Sequence, residues 1–361
     1  MERNGFDVTV VSGGDRADLE AFGEREGVAV HYVPMNREIS PRSDARSLAS
    51  LHRSLRSLAP DIVNASTPKA GLLGMMASRA LRVPQRVYLL RGLRLETELG
   101  ARRAVLGATE RVASACAHEV VCVSESLRTA AVCGGYVAPR KAKVIGAGAS
   151  NGVDAVRFSL RPEVVNRAAA IRVELGLPAG APVVGFVGRL VADKGIAELA
   201  AAMALVRARR PEARLLLVGA DFAGDGLPAG LASSLRADPR TVVVGRVEDP
   251  APYYALMDVL AFPSKREGFP NVPLEAAACE RPVVGFRATG VVDAVAHGST
   301  GHLVALGDVG ALASALERYL ADDVYCRAHG AAGRARVLAA FTNDHVWRAW
   351  ADYYRTRLTR R

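Results

Sequence analysis

The sequence predicts a doubly wound α/β protein of two parallel-sheet domains, and three observations carry that reading. Short, continuously apolar runs alternate with helical stretches along the whole chain. Strands that are apolar throughout belong to parallel sheets covered on both faces. With 361 residues, 50% hydrophobic and 23% charged, the chain has ample material for two cores. The residues most suited to a ligand (Arg189, Lys194, Val247, Glu267 and Glu275) fall just past the ends of apolar runs. Ligands of such sheets sit outside the carboxyl ends of the strands.

In chain order, Asp7-Val8-Thr9-Val10-Val11-Ser12 reads as a buried strand ending at Gly13-Gly14. A helix over 16–26 and a strand over 28–33 follow. Leu48, Leu51, Leu55 and Leu58 recur at helical spacing within 44–58. Ile62-Val63-Asn64-Ala65-Ser66 is the next strand, and Thr67-Pro68-Lys69 opens a helix that runs to about Leu81. Val87-Tyr88-Leu89-Leu90 is a strand leading into Arg91, and Val120-Val121-Cys122-Val123-Ser124 is another, with Ser124 placed to cap a helix. Asn151-Gly152 is a turn signal, and we set the domain boundary there. The expected domains are residues 1–152 with 343–361, and residues 153–342.

The second half repeats the pattern. A helix over 163–175 precedes the strand Val183-Val184-Gly185-Phe186-Val187, then Gly188-Arg189-Leu190-Val191-Ala192-Asp193-Lys194-Gly195 and a helix over 196–209. Strands are expected at 214–219, 241–245, 259–262, 282–286 and 300–304. A final helix over 344–358 carries Val346, Trp347, Trp350, Tyr353 and Tyr354.

The stretch Ser264 to Gly290 concentrates the chemistry. Glu267 lies in a loop and Glu275 eight residues later in Leu274-Glu275-Ala276-Ala277-Ala278, which reads as a helix. Gly268 lets a ligand approach the backbone, and Pro270 and Pro273 near a helix start lose no needed N–H. A helix N-terminus binds phosphate or sugar oxygens through its amides. Two bare carboxylates repel a phosphate, so they suit hydroxyl groups. A polyol bearing a phosphate meets both demands, and a nucleotide-sugar is such a molecule.

The string E-G-F-P-N-x-x-x-E, from Glu267 through Gly268, Phe269, Pro270 and Asn271 to Glu275, resembles the Glu-x7-Glu signature of retaining glycosyltransferases of family 4, which have the GT-B fold with two domains facing a cleft. The segments G-R-L-x-x-x-K-G at Gly188, N-G-V-D at Asn151 and T-P-K-A-G-L-L-G at Thr67 resemble the same family, the last its bacterial surface-polysaccharide branch. The resemblance implies that Glu267 touches the transferred sugar and that Glu275 holds the ribose hydroxyls. Arg189 and Lys194 would then meet the donor's two phosphates, with Gly268, Phe269, Pro270, Asn271, Val247 and Asn151 lining the donor. Lys69 and Arg91 are weaker candidates on the acceptor or phosphate side. Many family members carry His-Gly where this chain has Arg91-Gly92, and an arginine cannot serve as a base. The family also opens with a strand, a glycine-containing loop and a helix ahead of the equivalent of residues 7–12. The resemblance therefore implies a first domain that lacks its first strand and helix.

Charge and cysteines narrow the classes. The net charge is +10, with fourteen Lys/Arg against six Asp/Glu between Arg37 and Arg111. Leu93, Leu95, Leu99 and Leu106 interleave with those arginines, a pattern that suits an anionic inner-membrane surface or a lipid-pyrophosphate acceptor. Nucleic acid is not an expected partner. The five cysteines, odd in number and without C-x-x-C, fit a reducing cytoplasm, and no apolar run approaches the length of a membrane span. No Asp-x-Asp occurs, so neither metal nor other cofactor is expected. We expect a cytoplasmic enzyme, peripheral at the inner membrane face, that transfers sugar from a nucleotide-sugar, a UDP-sugar first, to a lipid-linked or saccharide acceptor. The alternatives are a nucleotide-sugar 2-epimerase on the same fold and a non-catalytic sugar-nucleotide binder.

Overall fold

The computed structural model describes residues 5–36, 40–220, 222 and 226–359, and Arg37 and Glu38 of the basic stretch lie outside them. The chain divides into two compact units, Met1–Ile145 with Trp347–Arg361 and Gly146–Val346. The sequence reading set these boundaries at 152/153 and 342/343.

Unit 1 runs β1 (Thr9–Ser12), α1 (Arg16–Glu26), β2 (Ala29–Tyr32), α2 (Pro41–Leu58), β3 (Ile62–Ser66), α3 (Pro68–Ala80), β4 (Gln85–Leu90), α4 (Gly100–Cys116), β5 (Glu119–Cys122), α5 (Glu125–Cys133) and β6 (Ala142–Lys143). All strand pairs are parallel: β1 with β2 in one sheet, and β3-β4-β5-β6 in another. The central strand β5 is buried at every residue, as the continuous apolar run requires. Leu51 and Leu55 of α2 pack with Leu73 and Ala77 of α3 and with Val33, which follows β2. Of the leucine spacing read from the sequence, Leu48, Leu51 and Leu55 thus face the core while Leu58, at the end of the helix, is exposed, and α2 starts at Pro41, three residues earlier than expected. Proline at the first helical position has the φ a helix needs and gives up an N–H that would be unpaired there. Ser124 caps α5, its Oγ accepting from the Leu127 amide at 3.2 Å.

One sequence expectation in unit 1 is overturned. Leu93 and Leu95 do not present a leucine-bearing surface; both are fully buried, because the chain turns them inward after β4. Leu99 is the exposed one, at 83%.

Unit 2 runs α6 (Pro162–Glu174), β7 (Val183–Val187), α7 (Ile196–Arg209), β8 (Arg214–Val218), α8 (Leu231–Ala237), β9 (Thr241–Gly245), α9 (Ala251–Leu256), β10 (Val259–Phe262), α10 (Asn271–Ala278), β11 (Val283–Phe286), α11 (Val291–Ala294), β12 (Gly301–Val304), α12 (Val309–Ala321) and α13 (Asp323–Ala340). Its six-stranded parallel sheet has the order β12-β11-β10-β7-β8-β9. The chain leaves β7 toward β8 and β9, then returns to β10 on β7's other side. The order therefore reverses between β7 and β10. Val184, Phe186, Leu215 and Leu217 pack against Leu199, Met203 and Val206 of α7 and Leu312 and Leu316 of α12. His302 on β12 stacks edge-on with His297 at 4.6 Å, a packing role consistent with its sequence reading.

The last helix, α14 (Asn343–Thr359), belongs to unit 1 from Trp347 onward. Its aromatic face is tied down there. Tyr354 accepts from the Asn64 side chain on β3. Tyr353 donates to Glu119 Oε2 at 2.7 Å, and Glu119 Oε1 pairs with Lys143 at 2.5 Å and with Arg357.

Candidate functional site

Two loops of unit 2 meet at the carboxyl ends of β7 and β10, where the strand order reverses. A crevice opens at such a point because the connections on its two sides run to opposite faces of the sheet. The loop after β7 carries Arg189 and Lys194. The loop after β10 carries Glu267 and leads into α10.

These loops are stitched together by backbone and charge. Gly195 has φ +73°, and a Cβ there would lie 2.1 Å from the Pro263 carbonyl oxygen, so the close approach requires glycine. Lys265 N donates to Asp193 O at 2.9 Å. Two ion pairs cross between the loops, Lys194 Nζ with Glu267 Oε1 and Arg266 with Asp193 at 3.1 Å, and a third ties Lys265 Nζ to Glu198 Oε1 in the first turn of α7 at 2.6 Å. Buried Ser264 donates to the same Glu267 oxygen at 2.7 Å. Behind the loop, Gly290 has φ +77°, and a Cβ on it would meet the Gly268 carbonyl oxygen at 2.4 Å. Glu267 N in turn donates to Thr289 O at 3.2 Å. Both faces of the Glu267 loop are therefore fixed by backbone contact.

Helix α10 begins at Asn271, three residues before the apolar run from which the sequence reading drew it, and no side chain caps its N-terminus. Pro270 is extended (φ −78°, ψ 131°) and Pro273 sits in the first turn, where its missing N–H costs nothing. Glu275 is thus one turn inside the helix. It is partly buried, and its Oε2 accepts from the Tyr254 hydroxyl of α9 at 2.7 Å. Its Oε1 has no protein partner among the described residues. Burial pushes the Glu275 carboxyl above its ordinary range, while the Tyr254 hydrogen bond and the Arg157 charge oppose the rise. The Tyr254 phenol, fully buried beside that carboxylate, is raised far above its ordinary value and stays a donor. Phe269 packs on Phe341 with ring centroids 5.4 Å apart, and the Asn271 Oδ1 atom is buried without a partner.

The remaining candidates are placed as follows. Arg189 is exposed and makes no ion pair among the described residues. Val247 follows β9, at the far edge of the sheet from the β7–β10 pair, and is partly exposed. Asn151 is exposed in a bend ahead of Gly152. In unit 1, Lys69 opens α3 and pairs with Asp44 at 2.6 Å, and Arg91 is exposed after β4. The structure thus brings Lys194, Glu267, Gly268, Phe269, Pro270, Asn271 and Glu275 onto two adjoining loops and one helix start. Asn151 and Val247 stand on separate segments of the same unit. Tyr254 and Ser264 escaped the sequence reading; a tyrosine in an apolar helix, whose hydroxyl must find a partner, was the available signal. No group of three His, Cys, Asp or Glu residues able to hold a metal is found among the described residues.

Comparison with known proteins gives the following. Residues 181–322 match the family model described as glycosyl transferases group 1, and residues 1–148 match a glycosyl transferase 4-like domain. The chain is 33% identical over 358 residues to the capsular polysaccharide biosynthesis glycosyltransferase CapM of Staphylococcus aureus, covering 99% of this chain and 92% of that one. It is 28% identical over 303 residues to an Escherichia coli UDP-Gal:alpha-D-GlcNAc-diphosphoundecaprenol alpha-1,3-galactosyltransferase, covering 83% and 76%. Among solved structures, Anabaena Alr3699/HepE in complex with UDP-glucose superposes with a TM-score of 0.80 at 24% identity, covering 96% and 91%. The sucrose-phosphate synthase of Thermosynechococcus elongatus superposes at 0.78 with 23% identity, covering 98% and 99%.

Proposed function

We propose, from the premise that this chain belongs to the group 1 glycosyltransferases and has their GT-B fold, that it is a retaining, family 4-type enzyme of bacterial surface-polysaccharide assembly. It moves a sugar from a nucleotide-sugar, a UDP-sugar first, to a lipid-linked or saccharide acceptor. The observation that carries this reading is the pairing of Lys194 with Glu267 at the β7–β10 switch point, with the half-satisfied carboxylate of Glu275 eight residues on in α10. The relatives support it: one is a capsular polysaccharide biosynthesis glycosyltransferase, another a UDP-Gal:alpha-D-GlcNAc-diphosphoundecaprenol galactosyltransferase.

In this reading each group has a task set by its chemistry. Glu275 Oε1 accepts from the ribose hydroxyls while Tyr254 holds Oε2 in place, which fixes the carboxylate's orientation before the donor arrives. Asn271 and the amides at the start of α10 face the donor's oxygens, and Gly268, Phe269 and Pro270 shape the approach. Arg189, free to swing, clamps a phosphate bidentately, and Lys194 supplies a point charge. Glu267 contacts the transferred sugar and keeps Lys194 in the site. Val247 borders the base and Asn151 the donor's outer side. As the bond from sugar to diphosphate breaks, negative charge grows on the leaving diphosphate, and preorganised cations and amides there lower the barrier. The leaving phosphate oxygen takes the acceptor's proton on the same face of the sugar, which preserves the configuration. No protein base is required, so Arg91 in place of a histidine is compatible with it. Lys69 and Arg91 remain the acceptor-side candidates. The protein cations take the role a metal clamp would otherwise fill, and the chain carries no Asp-x-Asp for such a clamp.

The test is release of nucleoside diphosphate from a panel of nucleotide-sugars in the presence of a polyprenyl-diphosphate sugar acceptor, with the anomeric configuration of the product read by NMR. Transfer with inversion would overturn the mechanism, and conversion of the donor to an epimer without release would overturn the reaction class.

A further inference from the structure

The turn from Asp154 to Phe158 in unit 2 is held by its own backbone. Asp154 Oδ1 accepts from the Val156 and Arg157 amides at 3.0 and 2.9 Å, and the Phe158 amide donates to Asp154 O at 2.9 Å. Val153, just ahead of it, is bridged to Thr342. Arg157 and Phe158 are therefore presented from a fixed turn. Arg157 reaches the segment between β9 and α9. Its Nε donates to Asp249 Oδ1 at 3.0 Å and its Nη2 to the Glu248 carbonyl oxygen at 2.9 Å. Asp249 Oδ1 also accepts from the amide of Ala251, the first residue of α9, at 3.3 Å. Phe158 is buried and meets the Tyr254 ring edge-on at 5.8 Å, and the Tyr254 hydroxyl holds Glu275. Two adjacent residues thus touch both the segment that carries Val247 and the phenol behind Glu275.

We propose that Arg157 is a positioning residue for base selectivity, fixing the Val247 segment at a set distance from Glu275. The inference rests on the reading of Glu275 as the ribose contact and Val247 as the border of the base. Base and ribose are joined by one covalent bond, so a site that touches both gains affinity when its two sides are already in register. A planar guanidinium can bond a carboxylate and a carbonyl oxygen at once, whereas a lysine ammonium is a point charge on a flexible stem. Arg157 and Asp249 are 46% and 52% exposed, and an isolated pair at that exposure is worth little. The second bond to Glu248 O and the guanidinium over the Phe158 ring at 5.4 Å make this pair a brace. Glu248 and Asp249 are both exposed, so the fork adds nothing to the core of unit 2. Arg157 is also close enough to Glu275 for its charge to oppose the rise that burial imposes on that carboxyl.

The experiment is calorimetric titration of UDP, ADP and GDP into the full chain and into Arg157→Ala, Arg157→Lys and Asp249→Asn. The wild type is expected to prefer one of the three. Arg157→Ala is expected to weaken that nucleotide about five-fold and the other two less, so that the preference shrinks. Asp249→Asn keeps an acceptor for the Ala251 amide. It is expected to reproduce the loss and to add little when combined with Arg157→Ala. Arg157→Lys is expected to fall between wild type and Arg157→Ala. Arg167→Ala, which breaks an exposed pair with Glu174 on α6, is expected to change nothing. Circular dichroism and melting temperature show whether each variant folds, and Asp249→Asn decides the matter if Arg157→Ala does not. A merely structural role would weaken all three nucleotides by one factor. That result, or a wild type that binds the three equally, overturns the proposal and leaves the donor reading in place. No binding of any of the three by the wild type overturns both.

Discussion

Lys194 Nζ, from the loop after β7, donates to Oε1 of Glu267, from the loop after β10, and Ser264 donates to that same oxygen. The pair joins the two sequence signatures across the reversal point of the sheet. The cation in this arrangement is positioned before the donor arrives, so little reorganisation is needed when charge develops on the diphosphate. Lys194→Ala is expected to lower kcat/KM by about two to three orders of magnitude, and Glu267→Ala to lower kcat with a smaller change in KM. Because the two act as a unit, the double variant is expected to be little worse than the poorer single one. Steady-state kinetics on the three variants checks this, and strictly additive losses would show that the pair does not function together.

The Gly290 position makes a structural prediction. A Cβ there would sit 2.4 Å from the Gly268 carbonyl oxygen at a φ of +77°. Gly290→Ala is expected to push the Glu267 loop away from its seat and to cost about 1–3 kcal/mol. Thermal denaturation should show the loss, together with reduced donor affinity. A variant with wild-type stability and affinity would mean that the loop is not held from behind by this contact.

Glu110 sets a pH dependence in unit 1. Burial raises its carboxyl from 4.5 to about 7, against the opposing hydrogen bond from Tyr88. The folded state therefore binds the proton more tightly than the unfolded state. The stabilising protonated form is fully present below about 4.5, its contribution falls as pH rises toward about 7, and it is lost above that. Glu110→Gln keeps an acceptor for Tyr88 without the ionisation. It is expected to match the wild type near the acidic end of the window and to exceed it in stability, by on the order of 3 kcal/mol, above pH 7. Urea denaturation across pH measures the difference. A constant offset between the two proteins at all pH values would contradict the assignment.

The fold was legible in the sequence because parallel strands buried on both faces leave continuous apolar runs, as β7, β8 and β10 do. The loop residues at their ends were legible for the same reason. What escaped was tertiary. Leu93 and Leu95 look like surface leucines among arginines, and only the turn after β4 buries them. The apolar outer stripe of α4 is built of alanine and valine, which carry weak periodicity, and its one buried acid, Glu110, stands where a pattern reading expects a solvated residue. Tyr254 lies 21 positions before Glu275 and meets it only because α9 and α10 are neighbours. The helix start was placed near Pro273 but not at Asn271, because only the continuous run from Leu274 reads as helical and the residues before it carry no capping signal.

Chelation separates the cationic site from a metal-assisted one. With Lys194 and Arg189 assigned to the diphosphate, EDTA is expected to leave transfer intact. Activity lost in EDTA and restored by manganese would contradict that assignment.

The most direct test of the account is calorimetric titration of UDP, GDP and ADP into the wild-type chain, Tyr254→Phe and Glu275→Ala. A carboxylate accepting from ribose hydroxyls is worth about 1.5–3 kcal/mol, which is roughly ten- to a hundred-fold in affinity. The account predicts that at least one nucleoside diphosphate binds the wild type, that Glu275→Ala weakens it by that factor, and that Tyr254→Phe weakens it less. Equal affinity of the wild type and Glu275→Ala for whichever nucleotide binds, or no binding of any of the three, would contradict the placement of the donor at the β7–β10 switch point.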